Sequence, residues 1–376
     1  MKKKILFVIP EYSHGGTNKS LENLLTFFDL KKYDVRIFCI YEDGGIYYKN
    51  LFKPYVIHKS TLYTLTHDHV LTRKVYGLWR KINKKANFEW LYKKEAQRIQ
   101  KKFEFDTVIA YQEGTATRFV NFFQNAKKIA WVHYEYGASF WGSNHREFDI
   151  YNRFDKIVCV SDSAAESFVR VYPLLKEKTI GIYNTIDIAY INARAEEKIQ
   201  DAQFTEDCFS IISVGRFASP KQFQLIPEIA KRIKEQTKKD FKWYIIGPDG
   251  GYLQETQQNI IHQGVEKTVI LLGAKDNPYP YIKHSQLLVC TSATESFSYV
   301  IAEAKILHTP VVSNDFPVAY EVLDENCGFI TNIKTMNVTI QKLIDNHDGI
   351  YSIIKNRIQS YQYENESIMK KIYSIL

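Results

Sequence analysis

Short apolar runs alternate with stretches of helical periodicity along this chain, and the pattern is laid down twice. In the first half, "KILFVIP", "YDVRIFCIY", "FDTVIAYQ", "AKKIAWVH" and "FDKIVCVSD" are apolar cores of a few residues with polar flanks. In the second half, "FSIISVGRF", "FKWYIIGPDGG", "TVILLGA", "LLVCTSATES" and "TPVVSND" repeat the theme. Between them, "TNKSLENLLTFFDL", "QLIPEIAKRIKEQTKK" and "YVIAEAKILH" space their apolar residues as helices do. Wholly apolar strands alternating with helices predict parallel sheets, because a parallel crossover needs a helix to bring the chain back. The expected fold class is α/β, with two Rossmann-like doubly wound domains. The length of 376 residues fits two cores, since one core serves about 100–200 residues.

The pattern divides the chain into a first domain at 1–187, a linker at 188–207 and a second domain at 208–360. The last residues, 361–376, form an amphipathic helix expected to rejoin the first domain. Five scattered cysteines without a CxxC pair argue against a disulfide framework and against a zinc site. The first apolar run, Ile5 to Ile9, is too short for a signal segment or a membrane span. The expected location is the cytoplasm.

The net charge of +8 is local. Residues 51–100 hold 11 basic and 3 acidic side chains. Within 71–102, Leu71, Val75, Leu78, Ile82 and Ala86 mark one helical face, and the other is dense in Lys and Arg with Trp79 and Trp90 nearby. Such a face is either simply solvated or a contact for an anionic membrane surface. Nothing resembles a helix-turn-helix, an RNA-binding aromatic pattern or a zinc module, so no nucleic-acid partner is expected.

Several strand runs end in loops suited to ligands. Gly15 and Gly16 follow the first strand and precede a helix, where backbone can approach an anion closely. The pair is also an ordinary turn signal, and it lacks the GxGxxG spacing of dinucleotide sites. Arg216 and Lys221 follow "SVG", at the sheet edge where a diphosphate would be met. Gly273, Ala274 and Lys275 follow another strand. In "CTSATESFSYVIAEA", Glu295 stands at a strand's lip and Glu303 about one turn into the next helix. Helical side chains lean toward the N-terminus, so Glu303 can reach back toward whatever the helix start holds. Each feature alone has a plain structural reading, as a turn, a surface cation or a helix-face carboxylate.

Together they resemble a known family. The GG loop after the first strand, "VGR" followed by Lys, and the E-x7-E of "ESFSYVIAEA" are similar to the family 4 retaining glycosyltransferases of the GT-B fold. The likeness runs from about residue 4 to 340 and is strongest over 211–330. It implies two Rossmann-like domains facing across a cleft. It also implies that Arg216 and Lys221 hold the donor diphosphate, Glu295 the sugar hydroxyls and Glu303 the ribose. The backbone of Ser298, Tyr299 and Val300 would meet the phosphates. Gly15 and Gly16 would close over the donor, His133 would lie beside the donor sugar, and Gly273, Ala274 and Lys275 would lie near the base. Many relatives have Gly where this chain has Ser298. An acidic residue usual after the GG loop is replaced by Asn18 and Lys19.

The resemblance thus implies a retaining, metal-independent hexosyl transfer from a nucleotide-sugar, with UDP favoured over GDP. No further cofactor is required, and no DxD-type motif stands in a suitable place. The implied acceptor is a glycan or lipid-linked glycan, which would bring the protein to the inner membrane face through 71–102. The catalytic residues would be Glu295, His133, Arg216 and Lys221. Two other readings are a non-hydrolysing nucleotide-sugar epimerase of the same fold and a non-catalytic nucleotide-sugar-binding protein.

Overall fold

A computed structural model describes residues 2–13, 15–61, 89–136, 145–202, 204–205 and 207–376. Those residues divide into two compact units. One comprises Met1–Ile186 together with Asn365–Leu376, the other Asp187–Glu364.

The first unit is built on strands β1 (Lys3–Ile9), β2 (Tyr33–Cys39), β3 (Thr107–Ala110), β4 (Lys127–Val132), β5 (Lys156–Cys159) and β6 (Thr179–Gly181). They form one parallel sheet in the order β2-β1-β3-β4-β5-β6. Successive strands on either side of β1 run outward in opposite directions, so the topology reverses between β1 and β3. β1 is fully buried from Ile5 to Ile9, which explains why its sequence shows no polar alternation. On one face of the sheet Phe38 of β2 packs in a cluster with Phe119, Tyr151, Phe154 and Phe168. The abundant aromatic residues are thus mostly core.

The second unit contains β7 (Phe209–Val214), β8 (Phe241–Ile246), β9 (Val269–Gly273), β10 (Leu287–Cys290), β11 (Val311–Asn314) and β12 (Gly328–Thr331). This sheet is also parallel, in the order β12-β11-β10-β7-β8-β9. Here the reversal lies between β7 and β10. In an open parallel sheet that point leaves a crevice at the strands' C-terminal ends, because the flanking loops depart to opposite sides. Trp243 is fully buried in the core of this unit, and its indole N–H donates to Ser213 Oγ at 3.0 Å.

The chain leaves the first unit after Ile186 and re-enters it at Asn365. The Asn365 side chain marks both points: its Oδ1 accepts from Ile186 N at 2.9 Å and its Nδ2 donates to Ile186 O at 2.8 Å. The helix Asn365–Ile375 is held there by Tyr373, whose ring stacks on Tyr33 and whose hydroxyl bonds Phe27 O and Asp29 N. Residues 188–207, read from sequence as a linker, belong to the second unit and open with a helix, Ile188–Arg194. The Asp187 side chain caps it by accepting from Tyr190 N. Of the basic segment 71–102, residues 71–88 lie outside the described residues. The remainder forms the helix Glu89–Lys102.

Candidate active site

The second unit's crevice is assembled from the loops after β7, β8 and β10. Gly215 and Gly247 end β7 and β8 side by side. A Cβ on Gly247 would fall 1.7 Å from Gly215 O, so only glycine lets these two backbones meet. Phe217 then binds the β8 loop through hydrogen bonds with Pro248, Gly250 and Tyr252. The stem of Arg216 lies across Gly250, where a Cβ would come within 2.7 Å of its Cγ and Cδ. Arg216 is exposed at the sheet edge.

Lys221 and Glu295 come together from the two sides of the reversal. Lys221 ends a short 3-10 turn after β7, and Glu295 follows β10. The lysine ammonium donates directly to Glu295 Oε1, and Ser292 Oγ donates to the same oxygen at 2.7 Å. Backbone ties fix the pairing: Thr291 Oγ1 donates to Lys221 O at 2.6 Å, and Ala293 N to Pro220 O at 2.7 Å. Asn314, at the end of β11, donates to Ser292 O at 2.9 Å. Burial alone would depress the Lys221 pKa. Glu295, with a smaller push from Glu303, outweighs it and holds the group above the ordinary lysine value. Lys221 is therefore charged at neutral pH.

After Glu295 the chain turns through Phe297 and enters the helix Tyr299–Ile306. Ser298 makes the turn with φ 63° and ψ 71°, a left-handed conformation unusual for a residue with a Cβ. The first-turn N–H groups of this helix have no acceptor within it, and the positive end of its dipole lies there. Val300 packs inward. Glu303 Oε1 accepts from Tyr279 Oη at 3.3 Å. Tyr279 begins the helix that follows the Gly273–Lys275 loop, so that loop and Glu303 are brought together. Gly273 has φ +71° and Ala274 is exposed. Lys275 is ion-paired with Asp201, which also accepts from Tyr281 Oη at 2.5 Å. These residues line a cavity of about 280 Å³ with Glu197, Asp276 and Asn277. Sequence reasoning missed Ser292, Tyr279, Asp201 and Asn314. Only "NPYPY" gave a hint, as an aromatic-rich loop at a strand's C-terminal end.

In the first unit the loops after β1, β3 and β4 converge on the equivalent edge. Gly15 is extended (φ 178°) and precedes the helix Gly16–Phe27. A Cβ on either glycine would meet nothing within 4 Å. Neither local crowding nor a positive φ at Gly15 requires them, so their effect is to leave backbone uncovered. Asn18 is buried and ties the loop down, its Nδ2 donating to Glu11 O at 3.0 Å and Ser13 O at 2.8 Å. Ser20, two residues on, shares a 2.7 Å hydrogen bond with Tyr111 Oη, and the Tyr111 ring lies 4.9 Å from that of His133. The backbone N–H of His133 donates to Glu113 Oε2 at 2.9 Å. Burial pushes the His133 pKa down to about 3, so the ring is neutral at physiological pH. Glu113 was not anticipated from sequence. Burial raises its pKa, the His133 N–H opposes that, and Glu147 adds to it.

A concavity of about 1300 Å³ at the opposite edge of the first sheet is lined by the strand starts, including Lys3, Arg36, Asp106 and Lys127. It lies away from the strand C-termini where parallel sheets bind ligands, and we assign the site to the loop edge on that ground.

Two family models match this chain. "Glycosyltransferase Family 4" covers residues 14–190 and "Glycosyl transferases group 1" covers 194–361. The chain belongs to the family 4 glycosyltransferases. This glycosyltransferase-family chain is 28% identical over 215 residues to the N-acetylgalactosamine-N,N'-diacetylbacillosaminyl-diphospho-undecaprenol 4-alpha-N-acetylgalactosaminyltransferase of Campylobacter jejuni, a match covering 56% of each chain. It is 25% identical over 194 residues to the capsular polysaccharide biosynthesis glycosyltransferase CapH of Staphylococcus aureus, covering 50% of this chain and 52% of that one. The chain thus spans about half the length of these curated relatives. Among solved structures, Anabaena Alr3699/HepE in complex with UDP and glucose superposes with a TM-score of 0.75 at 19% identity, covering 99% of this chain and 98% of that one. TarM superposes at 0.73 and 16% identity, covering 100% and 99%. At these identities the superpositions establish the shared fold.

The low pKa of His133 has a consequence for stability. A histidine that titrates near 6.5 when unfolded but near 3 when folded resists protonation only in the native state. Its contribution is complete above about pH 7 and is lost as pH falls through that window. Compared with His133→Gln by urea denaturation, the wild-type protein should lose about 1 kcal/mol more per pH unit between pH 6 and 4. A stability difference that stays flat across that range would contradict the assignment.

Proposed function

We propose that this protein transfers a hexosyl group from a nucleoside-diphosphate sugar to a hydroxyl of a glycan or lipid-linked glycan, in the assembly of a surface polysaccharide. The observation that carries the reading is the Lys221–Glu295–Ser292 constellation at the β7/β10 reversal, with a helix start and Glu303 beside it. Cations and a helix N-terminus suit a diphosphate, while paired carboxylates suit hydroxyl-rich groups. UDP is the favoured nucleotide, since the solved Alr3699/HepE structures contain UDP or UDP-glucose; a GDP-sugar is the second choice.

In this reading the bond between the anomeric carbon and the diphosphate breaks, and its electron pair leaves with the diphosphate. Arg216, Lys221 and the backbone of Ser298, Tyr299 and Val300 stabilise the growing negative charge, without a required metal ion. The acceptor oxygen bonds to the anomeric carbon from the face the diphosphate leaves, giving retention. Its proton passes to a diphosphate oxygen. Glu295 holds the sugar hydroxyls, and Glu303 holds the ribose. Gly273 to Lys275 border the base. His133, neutral at working pH, serves as a hydrogen-bonding partner of the sugar and not as a proton reservoir. Gly15 and Gly16 offer uncovered backbone to the donor.

An acceptor on a lipid carrier would bring the protein to an anionic surface. The helix Glu89–Lys102 turns Lys93, Lys94, Arg98, Lys101 and Lys102 to solvent while burying Tyr92, Ala96 and Ile99. Trp90 is half exposed beneath Lys94. No helix among the described residues is long and apolar enough to cross a membrane, so the contact proposed is peripheral. Against an epimerase or a non-catalytic binder, the test is turnover of a nucleotide-sugar with added acceptor in the presence of EDTA.

Calorimetric titration of UDP and GDP into wild type and Glu303→Ala should show one nucleotide bound about 10–100-fold more weakly by the variant, the loss of a charge-assisted hydrogen bond. Equal affinity in both proteins would remove Glu303 from the site. Flotation with vesicles containing anionic lipid should carry the protein at low salt and release it at high salt. Failure to float at low salt would end the membrane reading.

A further inference from the structure

Ser298 combines features that a folded protein ordinarily avoids at one position. Its backbone is left-handed, with φ 63°, where a side chain crowds the neighbouring carbonyl. The residue is 4% exposed, and its Oγ is buried with no hydrogen-bond partner among the described residues. Buried hydroxyls are nearly always partnered, because losing water without replacing it is unfavourable. A serine immediately before a helix commonly accepts from the second or third N–H of the first turn. Ser298 occupies that place, before Tyr299–Ile306, and makes no capping bond. A glycine here would relieve the backbone strain and remove the orphaned hydroxyl together.

The surroundings give the hydroxyl no internal use. Glu295 is engaged by Lys221 and Ser292, and the carbonyl of Ser292 is taken by Asn314. Glu303, one turn into the helix, accepts from Tyr279. Strain and an unmatched buried donor at the mouth of a site indicate an acceptor supplied from outside the chain. Position narrows the choice. Resting on the donor reading above, the sugar sits against Glu295 and the ribose against Glu303. The part of a donor that lies between those two is its diphosphate. Ser298 is three residues from Glu295 and five from Glu303, which favours the phosphate bonded to the sugar.

We propose that the Ser298 hydroxyl donates a hydrogen bond to the distal phosphate of the bound nucleoside diphosphate, making it a diphosphate-reading residue. The side chain adds a donor to the helix N–H groups that a glycine at this position would lack. It acts on the leaving group, so its contribution extends to release of the diphosphate from the sugar.

The test is calorimetric titration of UDP, UMP, GDP and GMP into wild type, Ser298→Ala and Ser298→Gly, with ligand-free thermal melts of all three. Both variants should melt no lower than wild type, and Ser298→Gly higher. Each should bind the preferred diphosphate about tenfold more weakly, as expected for a hydrogen bond to a charged group. The corresponding monophosphate should bind all three proteins alike. If wild type binds a diphosphate and the variants bind it equally well, the hydroxyl contact is overturned while the donor site stands. Equal weakening of diphosphate and monophosphate would also overturn it, marking a disturbed loop. If wild type binds no nucleoside diphosphate, the donor reading and this inference fall together.

Discussion

The charge pair between Lys221 and Glu295 organises the second unit's functional edge. The lysine is carried by the loop after β7 and the glutamate by the loop after β10, the two strands between which the sheet order reverses. A half-buried ammonium in that crevice needs a counter-charge, and Glu295 supplies one from across the reversal. Once the pair is set, Thr291 and Ala293 tie the two loops together, Ser292 orients Glu295, and the helix Tyr299–Ile306 starts at a defined place. In the proposed reaction a donor brings its own anion and its own hydroxyls. The diphosphate can then satisfy Lys221 while the sugar occupies Glu295. The resting ion pair thus keeps both groups poised without leaving either buried charge alone.

Two strained residues flank this arrangement. Gln222 and Ser298 are two of four described non-glycine residues with positive φ, and each adjoins a member of the pair or its helix. Gly247 is needed for the opposite reason, because any side chain there would collide with Gly215 O. Local sequence rules are broken where the loops must approach one another, and the sheet beneath follows them. This division is expected when a rigid scaffold carries a site that must hold awkward geometry.

The strands were legible because burial on both faces leaves a run such as "KILFV" with no polar residue to interrupt it. The E-x7-E spacing was legible because helical side chains lean back toward the helix start, and the structure does place Glu303 on the helix that follows Glu295. Contacts set by residues distant in sequence were not. Nothing near Lys275 announces Asp201, 74 positions away, nor does "YQEG" announce that Glu113 will accept the His133 N–H. The helix Ile188–Arg194 was read as linker because its seven residues, about two turns, are too few for a helical period to stand out. Tyr279 by itself carried no sequence signal of a site, and its bond to Glu303 appears only when the helix Tyr279–His284 packs beside the helix Tyr299–Ile306.

In the proposed reaction a donor diphosphate lies against Lys221. Phosphorus NMR of UDP and GDP titrated with the protein tests it most directly, comparing wild type with Lys221→Met. Wild type should shift the β-phosphate resonance of one nucleotide, and the variant should abolish or greatly weaken that shift while remaining folded. A wild-type protein that perturbs neither nucleotide, or a folded Lys221→Met that perturbs the β-phosphate as wild type does, would contradict it.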